Sequence, residues 1–144
     1  MEFIKHYLDF AVIATLGVMS FLALWCAIER YFYYRGVDVT RFSHADKLQV
    51  ELTRHLTLIS TVAVNAPYIG LLGTVFGIIV TFDDMGRSGD INTESIMVGL
   101  ALALKATAMG LFVAIPAMIF YNALLRKVDV LTADWKQRCD NEKV

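Results

Sequence analysis

Three long uncharged stretches divide the chain. Residues 10–28 run without a charge to Glu29 and Arg30, and 56–82 run without one to Asp83 and Asp84. Residues 96–125 hold only Lys105 before Arg126 and Lys127. About 20 apolar residues cross roughly 30 Å of hydrocarbon, so each stretch predicts a transmembrane helix. The expected spans are 8–30, 56–82 and 96–125, joined by a link at 31–55 and followed by a tail at 126–144. Tyr31, Phe32, Tyr33 and Tyr34 follow the first span as an interfacial aromatic belt. The expected fold class is an all-α membrane protein with three transmembrane helices in a single domain, 1–144.

The polar pieces are short. Residues 43–55 predict a helix with Ser43 as N-cap and Asp46 in its first turn, running directly into the second span. Val128, Leu131, Trp135 and Cys139 recur at helical spacing, so the tail extends the third span as an amphipathic helix. Residues 83–95 carry Gly86, Arg87, Ser88, Gly89, Asp90 and Asn92, a turn composition.

Charge sets the expected direction. Arg30, Arg35, Arg41, Lys47 and Arg54 lie between Glu29 and His55, and Arg126, Lys127, Lys136, Arg138 and Lys143 lie in the tail. The second link has only Arg87, and the N-terminus only Lys5. Basic residues stay on the cytoplasmic side, which predicts an external N-terminus and a cytoplasmic C-terminus. No cleavable signal peptide is expected, because the first apolar run is too long for one. His6, His44 and His55 lie at or beyond the span boundaries and are expected to be solvated.

Composition narrows the function. The chain is 57% hydrophobic and 19% charged with net charge -1, which gives no electrostatic basis for nucleic-acid binding. Cys26 in an apolar run and Cys139 in a polar tail predict free thiols. Scattered histidines and cysteines offer no metal cluster, and no phosphate-binding or nucleophile motif occurs. Neither an enzyme nor a cofactor is expected.

The second and third spans differ from the first in their small residues. Ala66, Gly70, Gly73 and Gly77 line the second; Gly99, Ala103, Gly110 and Ala114 line the third. Small residues let helix backbones approach closely in lipid. They pack the helices, line a pore built by several subunits, or do both; three helices alone enclose no pore. Pro67 and Pro116 each free a carbonyl one turn earlier and make either a packing kink or a matched bend around a shared vestibule. Thr74 and Thr107 lie near mid-depth. Each either bonds its own helix or joins a shared polar ring.

No Asp or Glu lies within the hydrocarbon part of any span, although intramembrane proton relays use Asp, Glu or His. A proton carrier would have to come from outside this chain. Lys105 is the one charge expected to be buried within a span, about 200° around its helix from Thr107. It either snorkels outward or pairs with a carboxylate such as Asp9, at the edge of the first span.

Two motifs carry a family resemblance. The run from Ala66-Pro67-Tyr68 through Gly70, Gly73, Thr74, Gly77 and Ile78 resembles the second-span signature of the MotA/TolQ/ExbB proton-channel family. Ala106-Thr107, Gly110, Ala114, Pro116 and Ala117, followed by Tyr121 and Asn122, resemble its third-span signature. Three spans match the ExbB and TolQ branches, whereas MotA has four.

The resemblance implies a pentamer in the bacterial inner membrane with a central pore lined by spans two and three. Thr74, Thr107, Gly70, Gly77, Ala103, Gly110 and Ala114 would then line the ion pathway, with Pro67 and Pro116 as its bends. It implies an ExbD-like single-span partner in the pore, whose aspartate carries the proton, and a TonB-like protein energised by proton flow. A TolQ-like role in the envelope and a passive membrane scaffold are the alternatives. Three features depart from the family: the short first link, Leu102 where the family often has Glu, and Lys105 where an apolar residue is usual.

Overall fold

The computed structural model describes residues 2–42, 44–89 and 92–141, with the backbone alone for 2–6 and 88. Four α-helices account for nearly all of it: α1 Glu2–Gly36, α2 Ala45–Thr53, α3 Leu56–Ser88 and α4 Thr93–Asn141. A 3-10 turn, Val39–Arg41, lies between α1 and α2. Helices α1, α3 and α4 are long and apolar enough to cross a membrane. Much of their surface is large, apolar and exposed, including Phe10, Phe21 and Trp25 on α1, Leu72 on α3, and Phe112 and Ile119 on α4. Water would not tolerate such faces, and lipid or neighbouring chains would.

Helices α3 and α4 form an antiparallel pair, and α1 packs on one side of it. Two cores hold the three together. One contains Leu16 and Ala23 of α1, Val62 and Ala66 of α3, and Val113 and Ala117 of α4. The other, at the basic end, joins Ala27 and Tyr34 to Leu48, Leu52, Ile59, Leu124 and Val128. Leu48, Leu52 and Ile59 are wholly buried there. The short α2 is thus the plug of the bundle's basic end.

The element boundaries correct the sequence reading in three places. Helix α3 continues past the predicted stop at 82 to Ser88. Charges end a hydrocarbon span but need not end a helix: Arg87 Nε pairs with Asp83 Oδ2 at 3.0 Å, one turn apart. Gly89 then ends α3 at φ 67, a conformation glycine adopts without a side-chain clash, and its N–H donates to Met85 O at 3.1 Å. Asn92 Oδ1 accepts from the Glu94 N–H at 3.0 Å and caps α4. The predicted 83–95 turn is therefore much shorter.

The second correction concerns 43–55. Ser43 lies outside the described residues; the N-cap of α2 is His44, with Asp46 in the first turn. Residues 54–55 interrupt the path into α3, where His55 turns its ring to Glu29 (Nδ1 to Oε2, 2.9 Å) and is not simply solvated.

The third concerns the aromatic belt. Tyr31 and Phe32 are exposed as expected, but Tyr34 is buried. Its hydroxyl donates to Leu52 O. Arg30, only 4% exposed, donates through Nη1 to Glu51 O at 3.2 Å and through Nη2 to Glu29 Oε1 at 3.0 Å. Glu51 and Leu52 lie in the last turn of α2, whose carbonyls lack helical donors. Arg30 and Tyr34 supply those donors. Helix α4 runs unbroken into the tail, where Trp135 Nε1 donates to Phe42 O at 2.9 Å.

Candidate ion-pathway site

The seam between α3 and α4 is built from small residues. A Cβ on Gly70 would stand 2.7 Å from Ala106 O, and one on Gly110 would stand 2.7 Å from Ala66 O. A Cβ on Gly77 would meet Ala103 Cβ at 2.8 Å. Ala103, Gly110 and Ala114 are buried. The structure therefore brings Gly70, Gly77, Ala103, Gly110 and Ala114 together inside one chain, back to back. What they do here is close packing, which lets two polar side chains meet across the seam.

Those side chains are Thr74 and Thr107. Their Oγ1 atoms lie 2.5 Å apart. Thr74 Oγ1 is also 3.0 Å from Ala103 O and 3.3 Å from Gly70 O, and Thr107 Oγ1 is 3.4 Å from Gly70 O. Neither threonine is confined to its own helix. Two hydroxyl protons serve this cluster, and three arrangements that keep the hydroxyl–hydroxyl bond use both. Thr107 donates to Thr74, which donates to Ala103 O or to Gly70 O; or Thr74 donates to Thr107, which donates to Gly70 O. In each the protons are consumed within the chain, and oxygen lone pairs remain to accept a further bond.

The pair has an open side. Gly73, next to Thr74, turns the other way: a Cβ there would touch Ala106 and Val12 of α1. Successive helical residues point about 100° apart, so α1 covers one edge of the seam and the threonines occupy the other. Thr74 is buried and Thr107 half-buried. The cluster can accept a hydrogen bond from water or from a protonated carboxyl arriving at that edge. It cannot carry a proton as an ionised group, because hydroxyls do not titrate near neutral pH.

The prolines interrupt no helix. Pro67 lies within α3 and Pro116 within α4. Each lacks an N–H, so the carbonyls of Ala63 and Phe112 lose their donors one turn on.

The expected pair of Lys105 and Asp9 does not form within the chain. Lys105 is exposed on α4 and Asp9 half-buried on α1. Among the described residues the ion pairs are Arg30–Glu29, Arg41–Asp38, His55–Glu29 and Arg87–Asp83. Helix spacing gives the level of each residue but not how one helix is turned toward another.

Sequence reasoning also passed over a second polar feature of the seam. Thr81 is buried, bonds Gly77 O at 2.8 Å, and fills the space a side chain on Gly99 would need. Its signal was spacing: Thr81 lies one turn beyond Gly77 and two beyond Thr74 on the small-residue face.

A bundle of three membrane-length helices with paired hydroxyls on a close-packed seam has the architecture of an integral membrane protein. The model of the MotA/TolQ/ExbB proton channel family matches residues 28–137, including both threonines, and the chain belongs to that family. It is 54% identical over 136 residues to the biopolymer transport protein ExbB of Helicobacter pylori strain J99, covering 94% of each chain. It is equally similar to ExbB of Aquifex aeolicus, covering 94% of this chain and 92% of that one. A Tol-Pal system protein TolQ, from Haemophilus influenzae, is 40% identical over 84 residues, which span 58% of this chain and 37% of that protein. Channel and transport proteins, not enzymes, make up the family.

Proposed function

We propose that the chain is an ExbB-like subunit of a proton channel in the bacterial inner membrane. With an ExbD-like single-span partner it uses the proton gradient to energise TonB-dependent transport across the outer membrane. The observation that carries this reading is the hydroxyl pair of Thr74 and Thr107, 2.5 Å apart with lone pairs to spare at the edge away from α1. A neutral acceptor site suits a wall beside which a titrating carboxyl moves, and among the described residues no carboxylate bonds either threonine. The ExbD-like partner supplies that carboxyl.

One chain encloses no channel, so several copies, five by analogy with the family, form the ring. Spans two and three face inward, and Gly70, Gly77, Ala103, Gly110 and Ala114 allow the tight pairing that sets the wall. Pro67 and Pro116 bend that wall. Residues 1–144 act as a single channel domain. The basic residues of 30–54 and 126–143 orient the N-terminus to the periplasm and the C-terminus to the cytoplasm. The likeness to TolQ supports a second reading, service to the Tol-Pal envelope system. Near full-length similarity to proteins named ExbB favours the first.

The test is uptake through a TonB-dependent receptor in cells whose only channel subunit is this chain with its own partner. Thr74→Val and Thr107→Val should assemble as the unchanged protein does and lose energised uptake. Uptake that survives both substitutions would point to a passive scaffold.

A further inference from the structure

Lys105 and Asp9 are charges on apolar spanning helices that find no partner within the protomer. Neither side chain makes a hydrogen bond or ion pair among the described residues. Lys105 is two residues from both Ala103 and Thr107, so it points about 200° away from the seam that they share with α3. It stands exposed among apolar neighbours such as Leu104 and Phe112. An amine at this depth of a spanning helix needs a partner or water.

Gly73 fixes the levels. A Cβ on it would stand 2.8 Å from Ala106 Cβ and 3.0 Å from Val12 Cγ1, so Ala106 and Val12 lie at one height on α4 and α1. The two helices run in the same direction: towards the basic end, Tyr34 of α1 shares a core with Val128 of α4. Lys105 comes one residue before Ala106, and Asp9 three before Val12. At about 1.5 Å per residue they differ in height by only about 3 Å. Other acids are remote. Asp83 and Asp84 lie about 15 Å further along α3 from Gly73, and Glu94 about 16 Å from Lys105 along α4. Asp9 is the one described carboxylate within reach of that height.

We propose that Lys105 of one copy pairs with Asp9 of the next copy in the ring. This rests on the homo-oligomeric reading given above. Each protomer offers its lysine to one neighbour and its aspartate to the other. Such a contact joins two different surfaces of the same chain, the kind that generates a closed ring when the rotation permits. The face of α4 turned away from its own α3 is where a neighbour would lie. Apolar packing alone leaves the rotational register of such helices loose; one buried charge pair fixes it.

The experiment uses the full chain carrying Cys26→Ala and Cys139→Ala. Two differently tagged forms, one with Asp9→Cys and one with Lys105→Cys, are co-expressed, and the membranes are treated with a short bis-maleimide. A covalent dimer bearing both tags is expected. In parallel, native mass spectrometry follows Asp9→Lys, Lys105→Asp and the double exchange. Each single reversal should lose the oligomer at detergent levels the unchanged chain survives, and the exchange should regain it. The pairing is overturned if the oligomer persists without a mixed-tag dimer, or if both single reversals assemble normally. It is also overturned if one chain bearing both cysteines cross-links only within itself. A monomeric unchanged chain would overturn the ring as well, which separates the two failures.

Discussion

Gly70 and Gly110 each occupy the space in which the other's side chain would stand. A Cβ on Gly70 would lie 3.1 Å from Gly110 Cα, and one on Gly110 would lie 3.0 Å from Gly70 Cα. Backbone oxygens are closer still, at 2.7 Å on both sides, and backbone cannot swing away as a side chain can. Gly70→Ala and Gly110→Ala should each destabilise the protomer by about 1–3 kcal/mol, the usual cost of overpacking. Gly17 is the control: a Cβ there meets nothing within 4 Å. Gly17→Ala should be neutral or stabilising by up to about 1 kcal/mol, since Ala is the better helix former. Thermal unfolding in detergent measures all three.

Tyr34 and Arg30 make the second prediction. The Tyr34 hydroxyl is the donor for Leu52 O, in a residue without exposure. Tyr34→Phe keeps the ring and strands a buried acceptor, at a cost of about 1–3 kcal/mol. Arg30→Met, which also releases Glu51 O and Glu29 Oε1, should cost more. Loss should be local first. Hydrogen exchange should quicken in α2 and at 54–57 while the α3–α4 seam stays protected.

How far the sequence announced all this depends on what each residue's chemistry had to satisfy. The spans were legible because lipid tolerates no interruption, and the basic flanks at Arg30 and Arg126 marked their ends. Thr74 and Thr107 were legible as members of small-residue faces, since Gly70 and Ala103 stand one turn before them. Arg30 and Tyr34 were not, because an arginine and a tyrosine at a span's end also suit the membrane interface. Their register was the signal that separates the two roles: Leu16, Ala23, Ala27, Arg30 and Tyr34 fall on one helical face. Whether Lys105 meets Asp9 was not legible either, for a different reason. Residue spacing sets height along a helix, whereas contact also requires the two faces to meet.

Asp38 gives a prediction in pH. Its Oδ1 accepts from the Thr40 hydroxyl at 2.6 Å and from the Thr40 N–H at 3.1 Å, capping the 3-10 turn. The hydroxyl bond first, then the backbone bond, hold its carboxyl below the usual carboxylate range. A value depressed on folding stabilises the turn above the unfolded pKa, and that stabilisation is lost as pH falls through the folded one. The turn should therefore be intact at neutral pH and loosen only in acid. Carboxyl NMR titration should place Asp38 below an unfolded-peptide reference, and Thr40→Ala should move it back up.

Trp135 tests whether the tail is part of the fold. Its Nε1 donates to Phe42 O at 2.9 Å, which ties the far end of α4 to the turn after α1. The ring also packs against the core of Leu48, Leu52 and Val128. Trp135→Phe retains most of that packing and removes the bond, a loss of about 0.5–1.5 kcal/mol. Trp135→Ala adds the lost aromatic contact and should cost more. The expected signature is positional: limited proteolysis should cut near residues 37–44 and within 129–141 sooner in both variants, while the spans remain protected. Unchanged cleavage in Trp135→Ala would mean that α4 beyond Val128 projects from the bundle and that the tether does not hold it.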